Sequence, residues 1–109
     1  MSDAVPVTPL VLLQLEKLAA AGIALIPTQE IATHFVFSRD GCVVLVERRG
    51  AAFGAIGSPG ILTEHGGFAA LVYRDGDAWF VAKGREWRAV SGEAEVARRL
   101  FTDLRAALR

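Results

Sequence analysis

Cysteine, histidine and excess charge are all scarce in this 109-residue chain, and each scarcity removes a class of function. Cys42 is the one cysteine, which excludes an internal disulfide and any zinc site built from several thiolates. The two histidines, His34 and His65, have no recognised metal-ligand spacing with Glu47 or Glu64, so no metal and no cofactor is expected. Twelve basic residues balance twelve acidic ones, leaving no overall field to gather a polyanion, and nucleic acid is not an expected partner. No stretch has linker composition, so residues 1–109 are expected to fold as a single α+β domain. Long apolar runs are missing as well. The longest, "PLVLLQLEKLAAAGIALIP", is interrupted by Gln14, Glu16 and Lys17, so no membrane span is expected. Asp3 stands where a secretory signal carries positive charge, and Pro6 and Pro9 break the segment behind it, which leads to the expectation of a cytoplasmic protein.

What the chain does have is apolar side chains, 52% of its residues, in two distinct periodicities. Thr8 followed by Pro9 reads as a helix N-cap and first position, and Gly22 as the left-handed residue that ends the helix, predicting a helix from about Pro9 to Ala21. Leu10, Val11, Leu12, Leu13, Leu15 and Leu18 occupy most of its circumference, so it should need cover on more than one side. "IALIPT" follows as a short edge strand or extended connection, because Pro27 lacks the amide a central strand uses. "IATHFVFSRDGCVVLVERR" predicts a hairpin turning at Asp40-Gly41. "GFAALVYRDGDAWFVAKGREWRAV" predicts a second, turning at Asp75-Gly76, and a third strand entered through Gly84-Arg85. At the other end Ser91 can cap a helix whose Ala97, Leu100, Phe101, Leu104 and Leu108 share one face. The expected fold is therefore an antiparallel sheet of about five strands, a hairpin plus a three-strand meander, covered on one face by an N-terminal and a C-terminal helix. That element order resembles the order in roadblock and longin-like scaffold domains, which dimerise; the likeness is one of order alone and transfers no function.

Two-residue corners set the phase of each strand. One face then carries Phe35, Phe37, Cys42, Val44, Val46, Leu71, Tyr73, Ala78, Phe80 and Trp87 and is almost wholly apolar. The reverse carries Val36, Leu45, Phe68, Val72, Trp79 and Val81 among Arg74, Asp77, Lys83 and Arg88. A half-apolar second face with an aromatic residue and a rim of arginines has the make-up of a protein interface, unless the first helix covers it.

"GAAFGAIGSPGILTEHGG", Gly50 to Gly67, interrupts the pattern. Gly54, Gly57 and Gly60 recur every three residues, which matches neither a dinucleotide fingerprint nor a phosphate loop. Two readings stay open: a packed Ω-like connection, or a ligand loop using Phe53, Gly54, Ile56, Gly57 and His65. A Nudix-like pyrophosphohydrolase is excluded, since Glu64 stands alone where a helix-borne glutamate cluster would be required. His34 opposite Glu47 forms a predicted cross-strand pair, either ordinary packing at the sheet's end or the beginning of an acid–base couple. Cys42 reads as a small buried side chain rather than a nucleophile, and the cations near Tyr73, Trp79 and Trp87 as an ion-paired sheet edge.

These residues lead to the expectation of a small non-catalytic interaction domain. It would self-associate as a homodimer, or bind another protein, through the half-apolar sheet face, the N-terminal helix or both. The alternatives are a small-molecule binding domain using the Gly50–Gly67 loop, and an enzyme using His34 and Glu47.

Overall fold

Asp40-Gly41 and Asp75-Gly76 both close two-residue turns in the computed structural model, which describes residues 9–27, 31, 33–63, 67–90 and 92–108. All four residues have positive φ, 53° and 82° in the first corner and 50° and 82° in the second, the geometry of a type I′ hairpin. Phasing follows the sequence prediction: Phe37 pairs with Val44, Val36 with Leu45, Leu71 with Phe80 and Val72 with Trp79.

The elements run α1 (Pro9–Ala20), β1 (Ala24–Ile26), β2 (His34–Arg39), β3 (Cys42–Arg49), β4 (Ala52–Leu62), β5 (Phe68–Arg74), β6 (Asp77–Ala82), β7 (Arg85–Arg88) and α2 (Glu93–Ala107). All seven strands form one antiparallel sheet in chain order. The expectation of about five strands is thus corrected to seven among the described residues. "IALIPT" supplies β1 as an edge strand, and the Gly50–Gly67 segment, expected as either an Ω-like connection or a ligand loop, supplies β4.

The physical reason β4 was hidden is its pairing. Arg48, Val46 and Val44 of β3, two residues apart, face Phe53, Ile56 and Pro59 of β4, three apart, with a register shift between each pair. Each shift inserts an unpaired residue, a β-bulge, so the inward side chains recur every third position instead of every second. Gly54, Gly57 and Gly60 follow the same three-residue step, each next after a β3 partner. A Cβ on Gly60 would overlap the carbonyl oxygen of Ala69 and press on the Phe68 ring. The glycine row therefore belongs to strand packing.

The turn into β7 is also corrected. Ala82 pairs with Arg85, so the loop is Lys83-Gly84 rather than Gly84-Arg85, with Gly84 at φ 76°. Trp87 still lies beside Phe80, since a two-residue displacement preserves which face a side chain occupies.

α1 ends as its sequence predicts. Gly22 takes φ 74°, its amide donates to Ala19, and the Ile23 amide donates to Leu18; the two apolar residues of that cap, Leu18 and Ile23, are buried. α2 packs across β3 and β4, and α1 packs against α2. The core joins Leu18 of α1 and Ala97, Leu100 and Leu104 of α2 to Phe37, Val44, Val46, Leu71 and Phe80, all from the predicted apolar face. Phe53, Ile56 and Ile61 of β4 pack against it in part. Gly92 sits at the N-cap of α2 with no side-chain cap, while Glu93 Oε1 accepts the Val90 amide at 2.6 Å. The predicted caps Thr8 and Ser91, and the loop residues Glu64 and His65, lie outside the described residues.

Arg39 fastens the helices to the sheet. Its guanidinium donates to the Ala21 carbonyl at the end of α1 (2.9 Å) and pairs with Asp103 of α2 (2.8 Å), with the side chain only 18% exposed. Gln14, buried in α1, donates to the Leu108 carbonyl at the end of α2 (2.9 Å). Both contacts place positive or donor groups on terminal carbonyls that helix geometry leaves unpaired. No described helix is long and apolar enough to cross a membrane.

Candidate functional site

The residues expected to form an interface on the second face of the sheet divide into two kinds. Val36 is completely buried, as is its neighbour Val43, so neither can reach a partner. Leu45, Phe68, Val72, Trp79 and Val81 are half-buried. The arginine rim is already engaged: Arg88 lies 5.3 Å over the Trp79 ring and pairs with Asp77 at 3.0 Å, and Arg74 pairs with Glu86 at 2.8 Å. Trp79 thus has local cover from its own strand neighbours.

Among the described residues, six large apolar side chains are left in water: Tyr73 and Val90 stand in separate parts of the chain, and the other four lie on α1 and β1. Leu10, Leu12 and Leu13 of α1 are 59%, 52% and 48% exposed, and Leu25 of β1 is 47% exposed. Val11, Gln14 and Leu18 form the buried stripe, so α1 is covered on one side where its composition predicts cover on more than one. Helix periodicity puts Leu13 and Leu12 on the side away from that stripe, with Leu10 at its margin.

Between α1, β1 and the β2–β4 part of the sheet runs an apolar groove. One hollow, about 380 Å³, is lined by Leu25, Ile26, Pro27, His34, Phe35 and Arg48. The next, about 320 Å³, shares Leu25, Phe35 and Arg48 with it and adds Val11, Leu15 and Phe53 beside the Gly50-Ala51 turn. Its aromatic wall is ordered by edge contacts: the Phe53 ring meets Phe35 at 5.2 Å and Phe37 at 5.6 Å. The Arg48 guanidinium stacks over Phe35 at 4.1 Å. Phe53 of the predicted ligand loop reaches this groove. Ile56 points into the core from mid-strand, Gly54 lies beneath the Glu47 and Arg49 side chains, and Gly57 lies beside the Leu45 carbonyl.

His34 and Glu47 are register partners, yet their polar atoms are engaged separately. His34 Nδ1 is 2.8 Å from the Thr33 hydroxyl, and Glu47 accepts from Arg49 Nε at 2.6 Å. Cys42 is buried under α2, its thiol near the Glu93 carbonyl at 3.9 Å; burial, then the Glu93 and Asp40 carboxylates, push its pKa up. Among the described residues no cluster of three or more His, Cys, Asp or Glu could hold a metal ion. The groove and the Arg39 fastening were not read from the sequence. A lone arginine on the helix-facing side of β2 was the available sign of the second.

Comparison with protein-family models, with curated proteins and with solved structures finds no match for this chain.

Proposed function

We propose that this protein is a non-catalytic self-association domain whose contact surface is the outer side of α1 together with Leu25. The observation that supports this reading is the row of half-exposed leucines, Leu10, Leu12 and Leu13, on a helix whose other side is already packed. Isolated exposed leucines are ordinary on a protein surface, but three fall within four residues of α1, and a fourth, Leu25, lines a hollow with Val11 and Leu15 of the same helix.

A second copy suits this patch better than an unrelated partner because of where the charges fall. In a two-fold, antiparallel pairing of α1 centred on Leu13, each residue at distance n after Leu13 meets the residue n before it. Leucines then meet on the axis. Glu16 lies against the partner's first helical turn, which contains no acidic residue and carries the positive end of the helix dipole. No like charge faces its own copy. A twelve-residue helix spans only about 18 Å, so the contact is well below standard interface size and the dimer should be weak, with Kd on the order of micromolar or above.

Light scattering and sedimentation across a concentration series test this. The wild-type chain should shift from monomer to dimer, and Leu13→Glu, at a position exposed enough to leave folding intact, should weaken association by roughly thirtyfold or more. A wild-type chain that stays monomeric up to about 0.5 mM refutes the proposal.

A further inference from the structure

The groove between α1 and β1 has a composition that goes beyond self-association. Its described walls are Val11, Leu15, Leu25, Ile26, Phe35 and Phe53, and Arg48 is the one residue of permanent charge along either hollow. Among the described residues no aspartate or glutamate lines it. Arg48 also forms no ion pair among the described residues, unlike Arg39, Arg49, Arg74, Arg88 and Arg99. Its guanidinium carbon lies 4.1 Å from the centre of the Phe35 ring, a cation–π contact that fixes the charge at the groove wall without using an acceptor. A guanidinium with no carboxylate partner among the described residues, beside an apolar trough, calls for an anion with an apolar body.

We infer that this groove binds a single-chain aliphatic monocarboxylate, with the carboxylate on Arg48 and the chain along Phe35, Leu25 and Phe53. The charge should be single: one guanidinium among the described residues faces the groove, and the glycine row of β4 is taken up in strand packing and forms no phosphate cradle. The hollows, about 380 and 320 Å³, lie at the lower end of ligand-site volumes and suit a medium-length chain. Shape and charge thus agree on the same ligand class. His34, whose Nδ1 is 2.8 Å from the Thr33 hydroxyl, adds a polar ring to the wall of the first hollow.

Titration calorimetry on the full chain with sodium decanoate decides the matter, with octanoate and hexanoate as shorter probes. Saturable one-to-one binding is expected, weakening by about twofold to fourfold for each methylene removed. Arg48→Gln, at an exposed position that leaves the core intact, should lower decanoate affinity at least about tenfold while leaving binding of the neutral decan-1-ol nearly unchanged. Leu25→Glu, which sets a carboxylate in the trough, should abolish decanoate binding and provides a second variant if Arg48→Gln misfolds. Three results overturn the inference: no saturation by about 1 mM decanoate, equal affinity in Arg48→Gln, or equally tight binding of decyltrimethylammonium. The last two would place the heat on the exposed leucines of α1 instead.

Discussion

Replacing each of the three β4 glycines by alanine should give three different outcomes, although all three stand in the same strand at the same spacing. At Gly54 an added Cβ meets Glu47 Oε1 at 2.8 Å and Arg49 Nε at 2.9 Å, the far ends of two exposed side chains that can swing away. The unfolded chain also loses freedom when glycine becomes alanine, which favours the variant by about 0.4–1 kcal/mol. Gly54→Ala should be neutral or slightly stabilising. At Gly57 the Cβ lies 3.1 Å from the Leu45 carbonyl oxygen, which belongs to a paired strand and yields only a few tenths of an ångström. Crowding there should outweigh the entropy gain, for a net loss of about 0.5–1 kcal/mol. Gly60 has no such latitude. Its Cβ would overlap the Ala69 carbonyl oxygen and stand 2.8 Å from two atoms of the Phe68 ring, and relief requires separating β4 from β5 at their junction. Gly60→Ala should cost about 3 kcal/mol, the upper end for overpacking, or roughly 12 °C in Tm for a domain of this size.

Urea unfolding followed by Trp79 and Trp87 fluorescence and by far-ultraviolet circular dichroism measures all three, with midpoints compared at constant m. If Gly60→Ala falls within about 1 kcal/mol of wild type, or if Gly54→Ala costs as much as Gly60→Ala, the β3–β4–β5 register is wrong and the packing explanation of the glycine row fails.

Arg39→Met keeps the aliphatic stem but removes the Ala21 and Asp103 contacts, and should destabilise by about 2 kcal/mol, most of it from the hydrogen bond to the helix-end carbonyl since Asp103 is half exposed. Asp103→Asn, which keeps a hydrogen-bond acceptor, should cost less than about 1 kcal/mol by the same denaturation assay. Burial raises the Cys42 pKa, so the folded protein favours the neutral thiol. That preference contributes fully below the unfolded thiol's pKa and is lost as pH rises through the folded value. Wild type should therefore lose stability relative to Cys42→Ala as pH climbs above about 8.5, and parallel profiles would refute this. Iodoacetamide should modify Cys42 far more slowly in the native chain than in urea.

The parts of the fold legible in the sequence are those governed by local chemistry. Asp-Gly corners determine their own register, Gly22 ends α1 because its position needs positive φ, and the α2 stripe follows from helical period. β4 was illegible because two bulges replace the two-residue period with three, and because Gly54, Gly57, Pro59 and Gly60 individually signal a break in structure. The groove was illegible for a different reason: Val11, Leu25, Arg48 and Phe53 come from four elements, and their meeting depends on α1 crossing the sheet near its β1 edge. The second face was assigned correctly in phase, yet phase alone does not say that Asp77 and Arg88 would flank Trp79, or that three leucines of α1 would stay exposed.

The two proposed surfaces meet at Leu25, which lines both hollows and also belongs to the exposed patch beside α1. Self-association and carboxylate binding would then be thermodynamically linked, because a partner seated across α1 and β1 alters the groove's exposure. Linkage makes the effect reciprocal: whatever factor decanoate applies to the dimer Kd, dimerisation must apply to the decanoate Kd. Arg48 separates the two, since Arg48→Gln removes the carboxylate's partner without touching Leu10, Leu12 or Leu13. In that variant the dimer should form at its wild-type concentration, and at least about tenfold more decanoate should be needed to shift it. A dimer constant that responds to decanoate over the same concentrations in Arg48→Gln as in wild type would mean that the chain lies between the leucines of the two copies, and the groove would lose its assignment.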